Sequence, residues 1–153
     1  MNNRKGFTLI ELLVVIAIIG LLSTLAVVAL GSARQKANDA KRLSDIKQIQ
    51  TALELYYTDN NTYPVAASAV DLGNESDSTV CLNDTGFVTA ANCGTTPYMG
   101  LIPAGPVSGE FYQYTSPSGT SYTITADLQS GAGGFTDGTI VATPSGMTQP
   151  ATP

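Results

Sequence analysis

The chain has 153 residues, enough for one modest domain, with 7 basic and 12 acidic side chains and a formal net charge of −5. It contains no histidine, which excludes a Ser-His-Asp or Cys-His catalytic set and any histidine-ligated metal site. Its two cysteines are too few for a four-cysteine zinc site. We therefore expect no enzyme and no cofactor, and we assign no metal site.

The charged residues are distributed unevenly along the chain. All seven Lys and Arg residues lie at or before Lys47, and residues 48–153 contain nine acids and no base. A surface of this kind cannot neutralise phosphates through ion pairs. Nucleic acid is therefore not expected among the partners of this part of the chain.

Residues 7–30 form an apolar segment that contains one charged residue, Glu11. As a helix, this segment is about 36 Å long, which is enough to cross a ~30 Å hydrocarbon core. It is apolar on all sides, which suits lipid better than a half-exposed surface. A cleaved secretory signal is the alternative, although the apolar run is long for one. Basic residues on both sides leave the orientation open.

Glu11 is a candidate functional residue because a carboxylate inside a bilayer is costly unless it is neutralised or paired. The alternative is that Glu11 lies near the lipid headgroups and is solvated there. The apolar segment by itself does not distinguish these two interpretations.

The helix is predicted to run from Phe7 to Thr58, so that residues 31–58 form its amphipathic half. Polar residues at 59–61 and Pro64 mark its end. Apolar residues at three- and four-residue spacing predict one stripe on which the rest of the chain packs. The stripe consists of Ala33, Ala37, Ala40, Leu43, Ile46, Ile49, Leu53 and Tyr56.

Residues 59–143 are predicted to form a globular head, and residues 144–153 a disordered tail. Residues 62–108 show little periodicity and are predicted to be a long loop with short local structure. Residues 110–129 alternate around the turn residues 116–119, with Phe111, Tyr122, Ile124, Ala126 and Leu128 as the apolar set, which predicts a β-hairpin. Residues 139–143 are a candidate third strand.

Cys81 and Cys93 lie twelve residues apart within the predicted loop. Outside the cytoplasm they would form a disulfide and stabilise a region that has little core. Two free thiols in a cytosolic protein are the alternative. A membrane anchor followed by a polar, Thr- and Ser-rich region favours the disulfide, and with it a C-terminus outside the cytoplasm.

Residues 5–11, KGFTLIE, followed by an apolar stretch, resemble the class III signal of type IV pilins and of the pseudopilins of type II secretion. A short basic leader, residues 1–6, ends in Gly6. Phe7 is the first residue after the cleavage site of this signal, and Glu11 is the fifth. Residues 41–64 are similar to the end of the long helix in major pseudopilins.

This resemblance implies a type IV pilin-like α+β fold, with a long N-terminal helix packed against a small antiparallel β-sheet. It implies that prepilin peptidase cuts between Gly6 and Phe7 and methylates the new amine of Phe7. It also implies that Glu11 and Phe7 act in assembly, in which copies polymerise into a helical filament with their apolar helices in its centre. An inner-membrane assembly platform and an ATPase are the expected machinery.

Before assembly, we expect a single-pass protein of the cytoplasmic membrane, surrounded by lipid, with its N-terminus inside and its C-terminus outside. After assembly, we expect a filament in the periplasm or at the cell surface. The sequence does not distinguish an adhesive or motile type IV pilus from a secretion pseudopilus or a DNA-uptake pilus, although the short chain and the end of the helix favour the pseudopilus. A monomeric bitopic membrane-anchored binding protein is the alternative, and it leaves the motif at residues 5–11 unexplained.

Overall fold

The computed structural model describes residues 7–150 and divides into two units, between Gln35 and Lys36. A single helix, α1, spans Leu9–Asn60 and contributes to both units. The predicted helix is thus confirmed to within two residues at each end. Asn61 ends it in the left-handed conformation, with φ of 54°, and its N–H donates to the Tyr57 carbonyl at 2.7 Å.

The first unit consists of the N-terminal part of α1. All side chains from Phe7 to Gln35 are exposed, including every large apolar residue up to Leu30. By length and composition, this is a helix that can cross a membrane.

The second unit packs the rest of α1 against a five-stranded antiparallel sheet and also contains a separate two-stranded hairpin. The strands are β1 Ala66–Leu72, β2 Cys81–Asn83, β3 Gly86–Val88, β4 Tyr112–Ser116, β5 Thr123–Leu128, β6 Gly138–Thr143 and β7 Gly146–Thr148. The order in the sheet is β1-β4-β5-β6-β7, and the hairpin of β2 and β3 precedes a short 3-10 helix at Ala90–Asn92.

The predicted hairpin and third strand are confirmed as β4, β5 and β6. Tyr114 pairs with Ile124 across β4 and β5, and Ile124 pairs with Ala142 of β6. The prediction for Phe111 is wrong. This residue is partly exposed and precedes β4, whereas Tyr112 and Tyr114 are fully buried.

Two predictions about the ends of the head are wrong. Residues 66–72, predicted to be loop, form β1, whose mainly small residues pair with β4 from Ala66 opposite Ser116 to Leu72 opposite Tyr112. The predicted disordered tail contains β7, which pairs with β6 through Thr143 and Gly146. Both strands lie at the edges of the sheet, so their pairing depends on a neighbour that local apolar alternation does not reveal.

The core of the second unit follows the predicted helix stripe only in part. Leu43, Ile46, Ile49, Leu53 and Tyr56 are buried in one cluster with the inward side chains of the sheet. Ala33, Ala37 and Ala40 are exposed. In their place, the first turns of α1 in this unit bury three charged residues, Asp39, Arg42 and Asp45.

Arg42 is the centre of a buried ion-pair cluster. Its Nε and Nη2 donate to the two carboxylate oxygens of Glu110 at 2.5 and 2.8 Å, and its Nη1 donates to Asp39 at 2.6 Å. Asp39 also accepts the backbone N–H of Gln129 at 3.0 Å and of Ser130 at 2.7 Å. Every strongly polar group here has a partner, which is the condition for burying charge at acceptable cost. The cluster therefore fixes the residues before β4 and after β5 on α1.

Replacing Leu53 by Ala is expected to lower the free energy of unfolding of a soluble fragment starting at Gly31 by about 2–5 kcal/mol, because Leu53 is fully buried. Leu55→Ala is the matched control: Leu55 is 53% exposed, and its truncation should change stability by less than about 0.5 kcal/mol. Urea denaturation measures both values. Equal effects of the two substitutions would show that the buried face of α1 is assigned wrongly.

The stability of the same fragment should also depend on pH through Asp39. Burial alone would raise the pKa of Asp39, but hydrogen bonds from Gln129, Ser130 and Arg42 outweigh it and lower the pKa. A carboxyl with a lowered pKa in the folded state contributes stability above its ordinary pKa and loses it as the pH falls through the lowered one. Asp39→Asn should therefore cost about 1–3 kcal/mol at neutral pH. The difference from the parent fragment should shrink on acidification, and a difference independent of pH would contradict this role.

Candidate assembly site at the start of the helix

The first turn of α1 is closed by three reciprocal hydrogen bonds between Thr8 and Glu11. The backbone N–H of Thr8 donates to Glu11 Oε2 at 2.8 Å, and the Thr8 hydroxyl donates to the same oxygen at 2.6 Å. The N–H of Glu11 lies 3.4 Å from Thr8 Oγ1. Because α1 begins at Leu9, Thr8 is its N-cap and Glu11 its third residue, which is the arrangement of a capping box.

The capping box gives Glu11 a local role. It places the carboxylate at the helix N-terminus, where the helix dipole favours negative charge. Both donors from Thr8 reach Oε2, and Oε1 accepts no hydrogen bond from the described residues. One oxygen is thus satisfied within the helix, and the other is available to a donor from outside.

The sequence contained the signal for this contact. A Thr followed by Glu three residues later, just before an apolar run, is a capping-box signature. The apolar context of Glu11, taken alone, predicts only a carboxylate that needs a partner from outside the chain or from the solvent. The structure adds Thr8 as the partner within the chain.

Phe7, the predicted first residue of the mature chain, directly precedes this N-cap and is 84% exposed. Gly6, the leader at residues 1–6 and the predicted cleavage site between Gly6 and Phe7 lie outside the described residues. Cleavage at this site would leave the new amine one residue before the capping box.

The apolar surface next to Glu11 is uncovered. Ile10 is 69% exposed, Leu12 60% and Val14 52%, and nothing in the described part of the chain packs on them. A surface of this size is favourable only against lipid or against other apolar helices.

Cys81 and Cys93 are joined by a disulfide, as the sequence predicts, with 5.6 Å between their Cα atoms. The bond links the buried start of β2 to the residue that follows the 3-10 helix. It stabilises a part of the head in which residues 89–101 carry little regular structure.

No group of three or more His, Cys, Asp or Glu side chains within residues 7–150 is arranged to hold an ion. The carboxylates of the Arg42 cluster, Asp39 and Glu110, are already paired with Arg42.

Comparisons with known proteins cover both units. Residues 1–31 match the prokaryotic N-terminal methylation motif, and residues 29–141 match type II secretion system protein G. Relatives named type II secretion system core protein G include one from Vibrio cholerae, 35% identical over 138 residues and 88% of each chain. Another, from Escherichia coli, is 34% identical over 110 residues, 72% of this chain and 71% of the relative.

A further relative is the type IV wide pilus major component PilA4 of Thermus thermophilus, 43% identical over 77 residues, 50% of this chain and 59% of the relative. No solved structure is a significant match. The protein G match spans well over half of the chain, and the V. cholerae relative is covered almost throughout. The long helix on a small antiparallel sheet, the methylation motif and these matches agree, and the chain belongs to the type II secretion system protein G family.

Proposed function

We propose that the chain is a structural subunit of a type II secretion pseudopilus, cut by prepilin peptidase and polymerised through its N-terminal helix. The observation that carries this proposal is the apolar surface of residues 7–30, which is exposed on all sides. This surface lies within the N-terminal methylation motif, which is matched over residues 1–31. A filament core made of such helices covers this surface, and so does a bilayer before assembly.

The membrane stage precedes cleavage and assembly. We place the N-terminus in the cytoplasm, where Arg4 and Lys5 favour it, and the head outside. The Cys81–Cys93 disulfide supports this orientation, because disulfides persist in oxidising compartments and are rare in the cytosol.

In the filament, the uncovered helices pack against one another and the heads face outward. Contacts between two different surfaces of the same subunit repeat without closing, which produces a fibre. A monomeric membrane-anchored binding protein would use the same helix, but it would stay in the bilayer and leave the methylation motif without a purpose.

Glu11 supplies register in this account. Cleavage after Gly6 creates a positive amine on Phe7, and neither this amine nor Glu11 can pair with lipid tails. A subunit entering the fibre brings its Phe7 amine to Glu11 Oε1 of a subunit already assembled. Desolvation offsets much of the attraction, so the pair mainly penalises misaligned docking, which leaves both charges unpaired.

The role is structural and not enzymatic. The chain has no histidine, and no candidate metal cluster occurs in residues 7–150. Its expected partners are other copies of the chain, prepilin peptidase, the inner-membrane assembly platform and its ATPase.

Processing is testable by intact-mass measurement of the mature protein. We expect loss of the first six residues, which leaves 5 basic and 12 acidic side chains and a net charge of −7, together with one added methyl group. Gly6→Leu should leave the precursor in the membrane, because a side chain obstructs the approach of a peptidase to the backbone. Gly6→Ala, the smallest addition, should be cut more completely than Gly6→Leu. Assembled fibres that retain the leader would refute this step.

Glu11→Ala should be inserted into the membrane and cut after Gly6, yet give few or no fibres. Glu11→Asp should assemble poorly because its side chain reaches less far. Shearing cells and probing the supernatant for the chain measures the yield, and mass analysis of the membrane fraction verifies cleavage.

Glu11→Gln is the matched control, because glutamine at this position preserves the capping box with Thr8 but removes the charge. If assembly depends on the charge of Glu11, Glu11→Gln should give few or no fibres, as Glu11→Ala does. Normal fibres from Glu11→Gln would assign Glu11 to helix capping alone. Normal fibres from Glu11→Ala would remove its role in assembly.

A further inference from the structure

The exposed cations of the second unit are concentrated on one stretch of α1. Lys36, Lys41 and Lys47 are all exposed, and none forms an ion pair with the described residues. Arg42, in the same stretch, is buried and fully occupied by Asp39 and Glu110. These lysines are therefore free to contact another molecule.

The far end of the same helix is acidic. Asp59 lies in the last turn of α1, and Asp84 lies in the turn between β2 and β3. Both are exposed and line one cleft of about 520 Å³, together with Tyr98. Tyr98 donates its hydroxyl to Asp59 at 2.7 Å, and the pKa of Tyr98 is raised by this bond and, more weakly, by Asp84. The two carboxylates thus act on the same small region.

The helix terminus adds to this negative potential. The last turn of α1 contains no basic residue, although the partial negative charge of a helix C-terminus favours one. No Lys or Arg follows Lys47 in the sequence. The head therefore has no cation of its own from beyond the helix to place in the cleft, and a lysine of a second copy has the complementary charge.

The helix period indicates which lysine reaches the cleft. Lys41 and Asp59 are eighteen residues apart, about five turns, so they lie on the same flank of α1. A contact that propagates along a fibre joins two different surfaces of the subunit. The cation that enters the cleft of a neighbour therefore comes from the flank of α1 that does not carry Asp59 and Lys41. Lys36 and Lys47, eleven residues or about three turns apart, define that flank.

Of these two, Lys47 needs the smaller displacement between parallel neighbours. It precedes Asp59 by twelve residues, or about 18 Å along the helix, against about 35 Å for Lys36. The smaller displacement leaves a longer overlap between the two helices. Lys47 is therefore the better match.

We propose that Lys47 of one subunit docks into the Asp59–Asp84 cleft of the neighbouring subunit and fixes the spacing of the heads along the fibre. This inference rests on the proposed filament function. It assigns a contact between heads, separate from the pairing of Phe7 with Glu11 in the fibre core.

A charge exchange in the full-length chain, expressed with its assembly machinery, tests this contact. Asp84→Lys and Lys47→Glu each place like charges opposite one another and should lower the yield of sheared fibres by more than about tenfold. The chain that carries both substitutions restores an attractive pair and should recover most of the wild-type yield. Combining Asp84→Lys with Lys41→Glu, the matched control, should give no recovery.

Recovery with Lys41→Glu instead of Lys47→Glu, or normal yield from Asp84→Lys alone, would overturn the proposal. A lower fibre yield from Lys47→Glu that follows from poor membrane insertion would also overturn it, since that result assigns the lysine to lipid headgroups.

If Asp84→Lys does not accumulate, Asp84→Asn replaces it. This substitution should lower the fibre yield and its salt dependence, and an unchanged yield and salt dependence would also overturn the proposal. Absence of fibres from the wild type would instead refute the proposed function.

Discussion

The structure depends on one constraint: the N-terminal part of α1 has an apolar surface that no other part of residues 7–150 covers. Residues 7–30 expose every large apolar side chain. Apolar surface in water costs about 25 cal/mol per Å², so this helix is stable only in lipid or among other helices. A subunit that moves from a bilayer to a fibre core exchanges one apolar environment for another. The capping box lies at the N-terminal end of this helix, and there Oε1 of Glu11 accepts no hydrogen bond from the described residues.

The second half of the same helix has a different task. It supplies one wall of the core of the head, with Ile46, Ile49 and Leu53 fully buried against the sheet. The Arg42 cluster then binds the segments that flank β4 and β5 to the helix. A buried ion cluster contributes little net stability compared with apolar packing, but it strongly disfavours arrangements in which one partner is missing. The result is a small polar head whose position on its own helix segment is specified by directional contacts.

Much of this structure can be predicted from the sequence, where the signal is local. The helix, its end near Asn60, the β4–β5 hairpin and the disulfide all follow from periodicity, turn residues and cysteine context. β1 and β7 cannot be predicted in this way. Small residues such as Ala66–Ala69 and Gly146 show no alternation of apolar and polar side chains, and they form strands because they pair with neighbouring strands. The Arg42 cluster is also invisible locally, since Glu110 is 68 residues away in the chain. At the candidate site, Glu11 can be predicted because it is the one charged residue in an apolar segment. The role of Thr8 can be predicted only when Thr8 and Glu11 are considered together as a capping box.

We infer that the exposed N-terminal helix becomes the core of a polymer. Electron cryo-microscopy of fibres sheared from cells that express this chain and its assembly machinery tests it most directly. We expect fibres in which residues 7–30 of successive copies bundle along the axis, with the heads outside and a neighbour's Phe7 amine beside Glu11. Material recovered only as membrane-bound monomer, or fibres whose contacts involve the heads alone, would contradict it.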